Sequence, residues 1–287
     1  MTGDGEQVSA PETGAAAQRR KTPWGLAVVA AAFVVVPFLY WYGTWFGREL
    51  SDEQIEEYLT KDDNPRHAQH ALSQIAKRVE DGRPGAERWN ARVVALTESP
   101  VPDLRMTAAW VMGVEHRSEE FRAALVRLLE DPEPVVRRNA ALALVRFGDA
   151  RARPELLTML RPYTVTAETS GTARTALTPG TEVSRGSLLL KYAEGDAVRE
   201  VRAPLPGKIE RALVEEGRSF AAGSELFVLA PDSGQVRDAL IGLMYFGRAE
   251  DLPEVERTGR EEGATDEVKK QAALTAEAVK RRAATKE

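Results

Sequence analysis

Apolar and polar positions follow three different rhythms along the chain. From Trp24 to Phe46, 23 residues pass without a charge. As a helix that run spans about 35 Å, against a hydrocarbon core of roughly 30 Å. It predicts a transmembrane helix over residues 22–47, kinked at Pro37 and ending in Tyr40, Trp41, Tyr42, Trp45 and Phe46, aromatics suited to a headgroup boundary. A cleaved signal peptide has a shorter apolar core and ends in small residues, so an uncleaved anchor fits better. Arg19, Arg20 and Lys21 precede the run and only Arg48 closely follows it. That bias predicts a cytoplasmic, disordered tail over 1–21 and export of residues 48–287.

Residues 48–162 and 232–283 carry the second rhythm, apolar positions at helical spacing. The stretch beginning Asp131-Pro132-Glu133-Pro134 matches the one beginning Ser99-Pro100-Val101-Pro102 at an offset of 32 residues. Both prolines, the arginines Arg105 and Arg137, and the pairs Ala108-Ala109 and Ala140-Ala141 coincide. Weaker copies start near Pro65, Gln235 and Asp266. Proline opens a helix where its missing N–H costs nothing, paired alanines admit a neighbouring helix, and Gly148 and Gly247 end helices. This string resembles the HEAT repeat family, in the short-period form named after phycobilisome lyases. The resemblance implies an α-solenoid that binds proteins. No lyase chemistry is carried over, because the repeat is a scaffold.

The third rhythm occupies residues 163–231. Short β-type runs alternate with glycine and proline turns, bounded by Pro162 and Pro231. The segment repeats internally: Gly171, Gly180, Val183, Gly186 and Leu189 parallel Gly207, Gly217, Phe220, Gly223 and Leu226. With the entry Ala203-Pro204-Leu205-Pro206-Gly207, this pattern is similar to the biotinyl/lipoyl domain. The resemblance implies a flattened barrel of two interlocked halves, and a modified lysine at the hairpin tip between them. That tip falls near Asp196, where no lysine stands; Lys191 lies upstream within a strand. No cofactor is therefore expected. Unmodified barrels of this kind also occur in membrane fusion (periplasmic adaptor) proteins, but the connection at 193–197 is too short for their long helical hairpin. The expected fold class is mainly α: a single transmembrane helix plus a HEAT-like α-solenoid interrupted by an all-β biotinyl/lipoyl-like barrel-sandwich domain, with a short tail at 284–287.

Composition narrows the function. Thirty-nine Lys+Arg against 44 Asp+Glu give a net charge of −5, which disfavours nucleic acid as a partner. The absence of cysteine removes disulfides, thiolate metal sites and thiol nucleophiles. No nucleotide-binding or hydrolase motif occurs, so no catalytic residue and no small-molecule substrate are expected. His67 and His70 share a helix face near Asp62 and Asp63, short of a convincing metal set. Trp110, inside Ala-Ala-Trp-Val-Met, is expected to fill the stacked core. Arg105, Arg137, Arg237 and Lys269 sit at equivalent repeat positions. They form either a cation ladder for an acidic partner or bonds to neighbouring loops. The reading is a non-catalytic scaffold, single-pass in the cell membrane with periplasmic C-terminal domains, binding subunits of a membrane complex. The alternatives are an export-system adaptor and a prosthetic-group carrier.

Overall fold

Helix starts follow prolines and caps in the computed structural model, which describes residues 24–41, 49–60 and 64–285. The predicted tail at 1–21, its basic triplet, residues 42–48, Asp62, Asp63 and residues 286–287 lie outside the described residues. The chain divides into two units, Met1–Glu49 and Leu50–Glu287.

In the first unit, helix α1 covers Trp24–Trp41 with Pro37 inside it. It holds 18 residues, about 27 Å at 1.5 Å per residue. This corrects the expected 23-residue span: among the described residues, no helix is long and apolar enough to cross a membrane. Among the described residues, the expected single-pass placement in the cell membrane has no spanning helix to rest on.

The second unit begins with α2 (Asp52–Thr60), α3 (Pro65–Glu80), α4 (Asn90–Ala95), α5 (Pro102–Glu115), α6 (Glu119–Leu128), α7 (Pro134–Arg146) and α8 (Arg153–Thr158). Pro65, Pro102 and Pro134 each occupy the first helical position, where φ near −65° is already helical. Asn64 and Ser118 cap α3 and α6 with side-chain oxygens. After the strands come α9 (Ser233–Phe246), α10 (Leu252–Arg260) and α11 (Asp266–Ala284). Asp232 caps α9 by accepting from the amides of Gly234 and Gln235 at 3.0 and 3.1 Å.

Helices α3, α5, α7, α9 and α11 pack each on the next, and form one layer. Helices α4, α6, α8 and α10 stand behind it. Ala108, Ala109, Ala140 and Ala141 are all fully buried, so the paired alanines do set the close approach. The layer runs without a break across the inserted strands, because α9 packs on both α7 and α8. Gly242 marks that joint. A methyl group there would meet Leu156 at 2.7 Å and Val145 at 2.9 Å, closer than side chains pack.

Between α8 and α9 run β1 (Tyr163–Thr166), β2 (Gly171–Ala176), β3 (Glu182–Val183), β4 (Leu188–Glu194), β5 (Ala197–Arg202), β6 (Gly207–Ala212), β7 (Ser219–Phe220) and β8 (Glu225–Pro231). They form two antiparallel four-stranded sheets, ordered β1-β8-β6-β3 and β5-β4-β2-β7. The expected closed barrel does not form. Closure needs every strand paired on both sides, yet β1 pairs only with β8 and β5 only with β4. At the other ends, β3 and β7 are two residues each, too short to bridge the sheets. Val165, Leu190, Ile209, Phe227 and Leu229 fill the space between them.

The insert is docked on the helices. Leu205 is 1% exposed and belongs to the helical core, whereas Ala203, two residues earlier, belongs to the sheet core. Tyr163 packs against both cores. Arg185, in the turn before β4, forms an ion pair with Asp103 of α5.

Candidate functional site

The four cations at equivalent repeat positions separate into two kinds. Arg105 donates to both carboxylate oxygens of Asp131 at 2.7 and 2.8 Å and to the Ser99 carbonyl at 2.9 Å. Arg137, one repeat later, donates to the Asp131 carbonyl at 2.7 Å and lies 3.4 Å from Glu155. Asp131 thereby clasps two successive repeats. Burial opposes its ionisation, but the Arg105 hydrogen bonds and the Glu133 amide hold its carboxyl below the usual range. The Asp131 bonds raise the pKa of Arg105 in turn, against the effect of burial. Both arginines are spent in holding loops. Arg237 and Lys269 stay at the surface, with side chains 47% and 52% exposed and acids no nearer than 3.4 Å.

The expected carrier position is a tight turn. Gly195 and Asp196 link β4 to β5, with Gly195 at φ +59°. Lys191 lies within β4 opposite Glu200, its Nζ 3.9 Å from the carboxylate. His67 stacks on Tyr58 at 4.5 Å. Among the described residues, no group of three or more His, Cys, Asp or Glu could hold a metal ion.

The outer face of the α3–α11 layer departs from the sequence expectation at Trp110. Trp110 is 41% exposed instead of filling the core. Ala108 and Ala109 turn inward, and the next residue on a helix points about 100° further round. Trp89 is buried instead, with the guanidinium groups of Arg78 and Arg88 at 5.0 and 4.8 Å from its ring. Trp110 borders a groove of about 480 Å³ that crosses three helices of the layer. Gly113 comes from α5, Leu142 and Arg146 from α7, and Asp238 and Ile241 from α9. Residues before and after the inserted strands therefore build one surface. The signal for it was present in the sequence, since Trp110 and Leu142 share a position at the 32-residue offset.

Below this face, the joint holds a buried charge. Arg138 is 5% exposed and bonds Gln235 of α9 through one guanidinium nitrogen. Burial depresses its pKa and raises those of Glu155 and Tyr163 beside it.

A layered stack of helix pairs with a groove across one face defines a helical-repeat scaffold. Residues 90–170 match the family model for HEAT repeats. Over those residues the chain is similar to HEAT repeats, which in general are a framework for protein interaction. No curated protein matches the chain. Among solved structures, one described as a single-chain, multi-domain long-chain acyl-CoA carboxylase shares 19% identity, over 34% of this chain and 10% of that one, with a TM-score of 0.24. The chain spans about a tenth of that protein's length, and at this likeness neither fold nor chemistry carries over.

Proposed function

We propose that this protein is a non-catalytic scaffold that seats a protein partner in the groove at Trp110. The observation that carries the reading is an exposed tryptophan beside Leu142 and Ile241, on a face built by three repeats. Tryptophan in such a setting is the residue type that anchors interfaces, and truncating such an anchor typically costs about 2 kcal/mol or more. Arg146 and Asp238 at the rim give the polar surround that fixes orientation. The strand segment, with its two glycine-punctuated halves, supports kinship with biotinyl/lipoyl-like modules as an open two-sheet unit. Its Gly195–Asp196 tip offers no amine for a prosthetic group, which supports a role in binding and not in carrying one.

The test compares captured partners. Trp110→Asp and Ile241→Asp should each lose a protein that the wild type retains. Leu213→Asp, on an exposed leucine just after β6, should keep it. Equal capture by all four, with thermal melting unchanged, contradicts the reading.

A further inference from the structure

The insert has two unused strand edges, and they border the same groove. β1 ends one sheet and β5 ends the other. A groove of about 250 Å³ is lined by Tyr163 and Val165 of β1 and by Glu200 and Val201 of β5. That is below the ~300–1,000 Å³ usual for small-molecule sites. Backbone N–H and C=O groups along an open edge stay in water until another strand pairs with them. β5 is the more available of the two. It has no proline, five of its six residues are exposed, and Val198 is 52% exposed.

Charge says what would fit. Glu133, from the loop before α7, and Glu168, just after β1, line the groove as well. Neither has an ion-pair partner among the described residues. The arginine present, Arg202, is already held by Glu200 at 2.6 Å and by the Gly186 carbonyl at 2.8 Å. An acidic slot between two strand edges calls for a basic strand.

We propose that this slot binds an extended peptide in which lysine or arginine alternates with β-branched residues, added as a strand along β5. The backbone ladder would supply affinity, and Glu133 and Glu168 the choice of charge. The slot is separate from the groove at Trp110, and either can fail without the other.

The test uses the full chain and a short fluorescent peptide alternating lysine with valine and threonine, followed by anisotropy. Two comparison peptides carry methyl groups on alternate backbone nitrogens, or glutamate in place of lysine. Saturable binding of the first peptide is expected. Methylation should weaken it by about tenfold or more, the equivalent of one or two hydrogen bonds. The glutamate peptide should not bind, Glu133→Gln with Glu168→Gln should weaken the lysine peptide, and Trp110→Ala should leave it unchanged. Binding indifferent to methylation would reduce the effect to diffuse attraction for an acidic protein and overturn the proposal. Loss of binding in Trp110→Ala would move the peptide to the helical groove and also overturn it. So would concentration-dependent dimers that the peptide displaces, because they assign the edge to a second copy, or the absence of saturable binding.

Discussion

Two joints in the helical layer solve the same problem with different means. Between α5 and α7 the chain is continuous, and the contact is made by small residues and one charge clasp. Gly113 approaches Ala143 so closely that a methyl group would sit 2.7 Å from its Cβ. Arg105 and Asp131 lock the loops. At the second joint α9 arrives after the whole strand segment, and polar ties multiply. Arg153 bonds Asp251 at 2.8 Å and pairs with Glu250. Arg161 reaches Glu254 at 3.0 Å, Arg257 donates to the Leu160 carbonyl at 3.1 Å, and Arg138 meets Gln235. Consecutive repeats are held in register by a short loop. Repeats separated by an insert must be registered by side chains, and directional bonds do that better than apolar contact alone.

The comparison breaks hardest at the first joint. Arg105→Ala leaves Asp131, only 8% exposed, as an unpaired buried charge, and should cost about 3–5 kcal/mol in urea unfolding. A value near that for an exposed pair would remove the clasp from the account. At the second joint, Gly242→Val inserts a side chain against Leu156 and Val145 and should cost about 1–3 kcal/mol. Little change in melting would mean that α9 is not tightly seated. Acid should act through Asp131 and Asp251, whose folded pKa values are both lowered despite burial, by Arg105 and Arg153 respectively. A depressed carboxylate contributes stability at neutral pH and loses it as pH falls through its folded value. The stability gap between wild type and Asp131→Asn should therefore be full at neutral pH and shrink below the usual carboxylate range. A gap that grows on acidification contradicts that sign. Smallest is Arg161→Ala: its side chain is 59% exposed, and the loss should stay under about 1 kcal/mol.

Much of the helical layer was legible because its cues are local. Prolines at first helical positions, paired alanines and the 32-residue offset each act within one repeat. The strands between β1 and β8 were legible from glycine turns and a change of period. What escaped was set by distance or by direction. Arg138 and Gln235 are 97 positions apart, and nothing local announces that they meet. Leu205, read as part of a strand-entry motif, turns out to plug the helical core. Trp110 points outward although large aromatics bury the most area, because the neighbouring alanines Ala108 and Ala109 take the inward face. The barrel failed on pairing: two-residue strands β3 and β7 cannot close a cylinder, whatever the symmetry of the halves. Equivalent repeat positions meet different fates: Arg105 and Arg137 bond loop carbonyls and the half-buried or buried acids Glu155 and Asp131, whereas Arg237 and Lys269 lie near exposed acids at 3.4 and 3.9 Å.

Everything proposed for the groove at Trp110 requires α7 and α9 to be neighbours across the inserted strands. The chain has no cysteine, so a single engineered pair reports on this without background. Asn139→Cys on α7 and Asp238→Cys on α9, both lining the groove, should be joined within one molecule by a short bifunctional thiol reagent. The link should form in the native protein and vanish in denaturant. Native protein that yields only intermolecular links, or none, would contradict a helical layer that continues through the insert.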